Sequence, residues 1–244
     1  MRLEQRGRIK IFMQSFFAIR VRFFGFCACA LAGFMIAAPA QAAEHDAQVW
    51  TTAAAKLRLD EDWALNLEAQ GRFGDDVQRL NETQFKASVL RRVGPGLKIG
   101  AGYGHMIKNR AGGPDRHENR IWQELAWKPE TGIKTSLSFR TRVEQRIIAG
   151  DTGWRVRSRL KATRPLGEGA SLYAYGSEEA FFFLNDADWG ARSGFDQSRI
   201  GAGLGWRFSQ MASLEAGYLN RFKPAPDTED KMNHIIALTV VLRP

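Results

Sequence analysis

The feature that most constrains this chain is an alternation of polar and less polar side chains. In the stretch SLSFRTRVEQRI, residues 136–147, a charged or hydroxyl-bearing side chain occupies every even position. The stretch WRVRSRLKATR, residues 154–164, repeats the scheme with arginines at 155, 157 and 159 and a lysine at 161. Successive side chains of a β-strand point to opposite faces, so a period of two predicts strands with one charged face and one largely apolar face.

Similar blocks recur along the chain and predict an all-β fold. Each is about 10 to 14 residues long, close to the length of a tilted strand that crosses a bilayer. The eleven predicted strands are 47–57, 62–73, 82–93, 97–107, 117–128, 132–146, 153–164, 168–183, 195–208, 211–222 and 231–242. After residue 43, no long segment shows a helical period, and no apolar run reaches the length of a membrane-spanning helix.

The connections between the blocks carry the Pro, Gly, Asn and Asp residues typical of turns. Short connections are predicted at 58–61, 94–96, 129–131, 165–167 and 209–210, and longer ones at 74–81, 108–116, 147–152, 184–194 and 223–230. This alternation is typical of an antiparallel up-and-down transmembrane β-barrel, here of about 10–12 strands. Because bacterial barrels favour even strand numbers, we expect ten strands over 62–242, with 44–57 as an extra N-terminal strand or a plug.

Alternation alone fits a soluble β-domain, with its apolar face inside, as well as a membrane barrel, with its apolar face on lipid. Three features favour the barrel. Aromatic residues fall toward block ends, the polar faces mix Arg with Glu, and glycines interleave with large polar side chains. The aromatic residues are Trp63, Tyr103, Trp127, Trp154, Tyr218 and Phe222.

The N-terminal part of the chain has the three regions of a secretory signal peptide. Basic residues precede an apolar run at 23–38, and small residues in an A-x-A pattern follow. The apolar run is shorter than the roughly 20 residues of a spanning helix. We therefore predict a signal peptide over 1–43, cleaved after Ala42 or Ala43, and a barrel domain over 44–244.

Export would change the composition of the chain. Both cysteines, Cys27 and Cys29, precede residue 44, as do six of the 35 basic and one of the 26 acidic residues. The remaining 29 basic and 25 acidic residues give a net charge of +4, against +9 for the whole chain. This modest charge weakens the case for a nucleic-acid partner. The exported chain also has no cysteine with which to form disulfides or bind metals.

Several longer motifs span nearly the whole chain after residue 43. They are QVWTTAAAKLRLDEDWALNLEAQGRFG from residue 48, HENRIWQELAW at 117–127, SFRTRVEQR at 138–146, WRVRSRLK at 154–161, YGSEEAFF at 175–182, FDQSRIGAGLGWRF at 195–208, LEAGYLNR at 214–221 and a late His234. In this order they resemble a family of bacterial proteins of unknown function described as outer-membrane β-barrel-like. The resemblance implies an envelope barrel and carries no activity. Outer-membrane barrels often end in an aromatic residue that the assembly machinery reads, whereas this sequence ends VVLRP.

Arginine and glutamate dominate the polar faces and form the candidate functional set. Opposite charges on adjacent strands can pair, and the lumen of a small barrel is just wide enough for side chains to fill it. One expectation is therefore a structural, ion-paired lumen, and the other is a porin-like, anion-favouring path lined by surplus arginine. The predicted lumen-lining residues are Glu68, Arg72, Glu118, Arg120, Glu124, Arg140, Arg142, Glu144, Arg146, Arg155, Arg157, Arg159, Glu178, Arg199 and Glu215.

Other candidate motifs carry weaker signals. His105 and His117 flank the connection at 108–116 and could meet across it, as a weak metal or acid–base pair or simply as polar residues at strand ends. Neither G-x-S-x-G nor H-E-x-x-H occurs after residue 43, so we predict no catalytic residue, cofactor or metal. The glycine repeats at 100–104 and 201–205 lie inside strand patterns, where they fit a crowded lumen face better than a phosphate loop.

These patterns predict an integral protein of the cell outer membrane that has a structural or small-solute role and is not an enzyme. The expected partners are outer-membrane lipid and, during insertion, the barrel-assembly machinery, with no nucleic acid. Two alternatives stay open at this point. One is an outer-membrane enzyme that acts on lipid, and the other is a soluble periplasmic β-domain that binds a ligand.

Overall fold

A computed structural model describes residues 43–225 and 228–244, and in these residues eleven β-strands form a closed barrel. The strands are β1 (Ala43–Arg58), β2 (Trp63–Gly74), β3 (Arg79–Gly94), β4 (Leu97–Lys108), β5 (Arg116–Trp127), β6 (Ser136–Ile148), β7 (Asp151–Pro165), β8 (Leu172–Phe183), β9 (Gly194–Trp206), β10 (Ala212–Lys223) and β11 (Asp230–Leu242). Each of the eleven predicted blocks is a strand, which confirms the all-β barrel. Within the described ranges, no helix is long and apolar enough to cross a membrane. The predicted signal peptide lies outside these ranges, except for Ala43, which begins β1.

The barrel closes between its first and last strands. β1 pairs with β2 antiparallel and with β11 parallel, from Ala43 opposite Asp230 to Ala55 opposite Leu242. A meander with an odd number of strands brings its ends together in the same direction, so closure requires one parallel pair. The preference for ten strands and the fully antiparallel arrangement are therefore wrong. Residues 44–57 belong to the barrel wall and form no plug.

The two ends of the barrel differ less in loop length than predicted. We call the end where β1 begins the upper rim and the end where β11 finishes the lower rim. The upper-rim connections are 75–78, 109–115, 149–150, 184–193 and 224–229, and the lower-rim connections are 59–62, 95–96, 128–135, 166–171 and 207–211. Both rims mix short and longer connections, so the predicted segregation is wrong.

One cause of this error is that strands continue beyond the alternating pattern. β6 and β7 extend to Ile148 and Asp151, which leaves a two-residue turn at Ala149 and Gly150. Both turn residues have positive φ, 53° and 87°, as a tight type I′ hairpin requires.

Burial in this barrel is inverted relative to a soluble β-domain. In β5, Glu118 and Trp122 point inward and are buried, whereas Ile121 and Leu125 point outward and are 43% and 48% exposed. Large exposed apolar side chains continue around the outside on other strands. They include Leu67, Phe85, Ile99, Ile200, Leu204, Ile236 and Leu238. The packed interior of the fold is therefore the lumen, which is rich in charge.

Glycines on the inner face make room for aromatic rings in the lumen. A Cβ at Gly102 would overlap the ring of Trp122, and a Cβ at Gly205 would overlap the ring of Tyr173. This crowding confirms the assignment of the two glycine repeats, 100–104 and 201–205, to a crowded lumen face.

Candidate functional site: the charged lumen

The structure places all but one of the predicted lumen residues on inward-facing positions of their strands. The exception is Glu178, which points outward between Leu160 of β7 and Ile200 of β9. Its neighbour Glu179 points inward and is buried. The prediction of Glu178 as a lumen residue is therefore wrong. In β8 two glutamates are adjacent, and Phe181–Phe183 place apolar side chains on both faces. The sequence therefore does not indicate whether the odd or the even positions of β8 point into the lumen.

Other lumen residues were absent from the predicted set. Those with inward-facing contacts include Trp50, Lys56, Glu82, Lys86, Lys161, Glu179, Phe181, Asp196 and Arg221. Lys161 and Arg221 share the parity of the predicted residues on β7 and β10, so the period-two pattern could have identified these two. Asp196 could not be found in this way, because a bulge opposite Phe181 and Phe182 shifts the register of β9 there.

An extended network of ion pairs fills the upper half of the lumen, and we call it the ion-pair layer. Glu118, fully buried, accepts hydrogen bonds from Arg146 Nε at 2.6 Å and Nη2 at 2.8 Å, and it also pairs with Arg120. On the neighbouring strands, Glu124 pairs with Arg142. These bonds join β5 to β6 in the interior.

The ion-pair layer continues from β6 to β9. Arg155 donates to Glu144 from Nη2 at 2.6 Å and to Asp196 from Nη1 at 3.0 Å. Arg157 donates to Glu179 from Nε at 2.6 Å and from Nη2 at 3.1 Å, and its Nη1 lies 3.4 Å from Glu144. Each of these carboxylates thus binds at least one guanidinium, the planar group that matches a carboxylate best.

Two buried aromatic rings occupy the space between the arginines. Trp50 on β1 lies under the guanidinium groups of Arg72 and Arg199, whose Cζ atoms are 3.8 Å and 5.0 Å from the ring centroid. Phe181 on β8 is contacted by Arg199 at 4.6 Å and Arg155 at 4.9 Å. Cations over aromatic faces gain electrostatic attraction, so these rings both fill the lumen and stabilise its charge.

The connection between β8 and β9 folds against the ion-pair layer at the upper rim. Asn185 accepts a hydrogen bond from Trp154 N at 2.7 Å and donates one to Thr152 O at 3.0 Å. Trp189 packs on Phe183, and the guanidinium of Arg146 lies 4.9 Å from its ring centroid. This loop therefore covers part of the lumen from above.

The lower half of the lumen, toward the lower rim, has fewer ion pairs. Lys86 binds Glu68 at 2.5 Å, and Lys161 reaches from β7 to Glu215 on β10, with both carboxylate oxygens 2.7 Å from its Nζ. Arg140 and Arg159 face each other directly on β6 and β7. Arg159 forms no close ion pair among the described residues, unlike Arg146, Arg155 and Arg157 of the ion-pair layer.

The ion-pair layer has limited chemical capacity. Its carboxylates are bound to cations, which leaves none free to act as a general base or a metal ligand. No group of three or more His, Cys, Asp or Glu side chains in the described ranges could hold a metal ion. Removing one partner from such a buried pair would leave an uncompensated charge in the interior.

The histidines lie outside the lumen, in two clusters on the outer face toward the upper rim. His105 Nε2 lies 3.2 Å from His117 Nδ1, so the expected meeting of these two residues occurs, and His105 Nδ1 lies 2.9 Å from Asn119 Oδ1. Across the β1–β11 seam, His45 Nδ1 lies 2.9 Å from His234 Nε2. In each cluster a tyrosine hydroxyl completes the contacts, from Tyr103 to Asn119 at 2.7 Å and from Tyr218 to His234 at 2.7 Å.

Comparison with known proteins gives a family match over most of the described barrel. The model of a family described as protein of unknown function, DUF2490, matches residues 47–233, from β1 into β11. An uncharacterized protein of Methylorubrum extorquens is 32% identical over 185 residues, which cover 75% of this chain and 81% of that protein. The family match thus includes all of the predicted lumen residues and reaches the first residues of β11. The chain belongs to the DUF2490 family of proteins of unknown function.

Proposed function

We propose that this protein is an integral β-barrel of the cell outer membrane and that its ion-paired lumen makes it a structural envelope protein without an open pore. The observation that carries the proposal is the inverted burial. The outer face is rich in large apolar side chains such as Ile200, which is 61% exposed. The interior contains charged side chains such as Glu144, whose side chain is only 2% exposed. Water would disfavour such an apolar surface, and lipid would favour it.

The outer aromatic residues support the same proposal. Trp63 and Trp206 lie near the lower rim, whereas Tyr103, Trp154 and Tyr218 lie toward the upper rim, and all five are exposed. Aromatic side chains at two levels are typical of the interfacial girdles of membrane barrels. A soluble periplasmic β-domain gives no reason for this arrangement.

Lipid is the partner that best fits the outer face. An outward-facing groove of about 500 Å³ is lined by alanines of β1, β2 and β3 and flanked by Leu67 and Phe85. Its apolar lining suits an acyl chain of outer-membrane lipid. Insertion of such a barrel would require the barrel-assembly machinery as a transient partner.

Membrane fractionation tests the proposed location. We expect the protein to remain in the outer-membrane fraction after alkaline carbonate washing, because its apolar outer face is in lipid. We also expect unheated and boiled samples to migrate differently in a denaturing gel, as detergent-resistant barrels do. Release by carbonate into the soluble fraction would contradict the proposal.

Conductance tests the closed lumen separately from the location. In planar lipid bilayers we expect no steady conductance steps from the purified protein, because the ion-pair layer and its aromatic rings occupy the upper half of the lumen. Regular steps with anion selectivity would instead support the small-solute function that surplus arginine suggests.

A lipid-acting enzyme is the second candidate, favoured by the His105–Asn119 contact on the outer face, where lipid would be present. The hydroxyl within this cluster belongs to Tyr103, and no serine of the described residues forms a hydrogen bond with His105 or His117. We therefore propose that the protein is not an enzyme. If purified protein hydrolyses phospholipid and His105→Ala abolishes the activity while His45→Ala does not, the enzyme proposal replaces the structural one.

A further inference from the structure

The lower half of the lumen contains a group of cations that share few carboxylates of the described residues. We call Lys56, Arg140 and Arg159 the basic cluster. They come from β1, β6 and β7, at inward-facing positions next to the ion-pair layer, where Arg159 lies directly opposite Glu179. Lys161 is close by in sequence, but its ammonium is held by Glu215.

Arg140 and Arg159 form an unfavourable pair. They lie directly opposite each other in the β6–β7 ladder, and like charges in that position destabilise a sheet. The carboxylate nearest to Arg140 is Glu179, at 3.6 Å, which already binds Arg157 through both oxygens. Arg159 also faces Glu179 in the β7–β8 ladder and interacts with it electrostatically, but among the described residues it forms no close ion pair or hydrogen bond. Glu179 therefore offsets only part of the charge of the two arginines.

Lys56 approaches the two arginines from the opposite wall. Its ammonium interacts electrostatically with Arg140, Arg159, Lys161 and Arg243, and these four groups are all positive. The side chain is exposed to water, so the basic cluster is accessible from the lumen. The nearby carboxylates have other partners, since Glu68 binds Lys86 at 2.5 Å and Glu215 also accepts a hydrogen bond from Tyr173 at 3.0 Å.

We propose that the basic cluster is a binding site for a small phosphate-bearing anion. Two guanidinium groups present planar forks that match phosphate oxygens, and the flexible ammonium of Lys56 supplies a third charge. A bound phosphate would convert the repulsion between Arg140 and Arg159 into two favourable contacts. Because the ion-pair layer closes the upper half, the anion enters from the lower rim.

The site depends on the lumen and not on where the barrel resides. A protein released from membranes by carbonate would still have the basic cluster. Conversely, a barrel that stays in the membrane and shows no conductance can still fail to bind the anion. The anion-binding test and the membrane-fractionation test can therefore fail independently.

Calorimetric titration of pyrophosphate into the full chain, solubilised in a neutral maltoside detergent at constant ionic strength, tests the proposal. We expect saturable binding to the wild-type protein. Arg159→Gln should weaken binding about tenfold or more, because a charge-assisted contact is lost. Arg164→Gln is the matched control, since this exposed arginine of the same strand carries the same charge, and it should bind like wild type.

A stability measurement separates a binding role from a structural one. Without anion, Arg159→Gln should unfold at the same temperature as wild type or higher, because the substitution removes the repulsion with Arg140 and leaves Glu179, which faces Arg159, bound to Arg157 through both oxygens. Pyrophosphate should raise the unfolding temperature of wild type and of Arg164→Gln but not that of Arg159→Gln. No saturable binding to wild type, equal binding by the two variants, or a lower unfolding temperature for Arg159→Gln without anion would each overturn the proposal.

Discussion

The upper and lower halves of the lumen contain the same residue types in different proportions. In the ion-pair layer, Glu118, Glu144 and Glu179 each contact two or more guanidinium groups, and buried aromatic rings occupy the gaps. In the basic cluster, Arg159 faces Glu179 but forms no close ion pair with a carboxylate of the described residues, and Arg140 has one longer ion pair, also with Glu179. The comparison shows that the number of arginines in the lumen predicts neither whether the lumen is closed nor whether it binds an anion. Register decides which arginines meet a carboxylate and which remain available.

The largest expected effect comes from breaking the ion-pair layer. Arg155 and Arg157 both pair with the buried carboxylate of Glu144. Glu144→Gln would remove the charge of this shared partner. We expect a loss of about 3–5 kcal/mol in the free energy of unfolding, because an uncompensated charge stays buried. Urea unfolding in detergent micelles measures this loss.

The matched control for that prediction is Glu168→Gln. Glu168 pairs with Lys134 at 3.0 Å, but the side chains are 92% and 71% exposed. An exposed pair contributes at most about 1 kcal/mol and is screened by salt. Similar losses for Glu144→Gln and Glu168→Gln would show that the ion-pair layer does not support the fold.

An intermediate effect is expected from filling the space that glycine leaves in the lumen. In Gly102→Ala the new methyl group would overlap the buried Trp122 ring, so we expect a loss of about 1–3 kcal/mol. Gly176→Ala adds the same methyl on the outer face, where the nearest neighbouring atom is 4.0 Å away, and it should be close to neutral. Equal stability of the two variants in thermal unfolding would contradict a tightly filled lumen.

The smallest effect is expected in the basic cluster. Lys56→Gln removes one charge from a group that repels itself, so we expect a gain of up to about 0.5 kcal/mol at low salt and less at high salt. Thermal unfolding at two salt concentrations checks this sign. A loss of stability that is independent of salt would mean that Lys56 has a structural partner. The contrast between the ion-pair layer and the basic cluster would then be wrong.

The sequence predicted the strands well because alternation is a local property. All eleven blocks became strands, and parity alone assigned Arg140, Glu144 and Arg155 to the lumen. Closure by a parallel β1–β11 pair was not predicted, because it depends on residues almost two hundred positions apart. The pairing of Lys161 with Glu215 was missed for the same reason, since these residues meet across the lumen from non-adjacent strands.

Local ambiguity explains the remaining errors. Alternation cannot orient β8 where two glutamates are adjacent, and so Glu178 was assigned to the wrong face. The bulge in β9 that brings Asp196 to Arg155 interrupts the regular alternation of inward and outward side chains at that point. The turn at Ala149 and Gly150 uses backbone angles that composition does not reveal.

The adjacent residues Glu178 and Glu179 provide the most direct test of the central claim, an apolar outer face around an ion-paired interior. The measurement is urea unfolding of Glu178→Leu and Glu179→Leu in lipid vesicles. Glu178→Leu should stabilise the protein by about 1 kcal/mol, because it removes a carboxylate from the outer face, which the proposed function places in lipid. Glu179→Leu should destabilise it by about 3–5 kcal/mol, because Arg157 loses a buried partner. Destabilisation by Glu178→Leu, or effects of the same sign and size for both variants, would contradict the account.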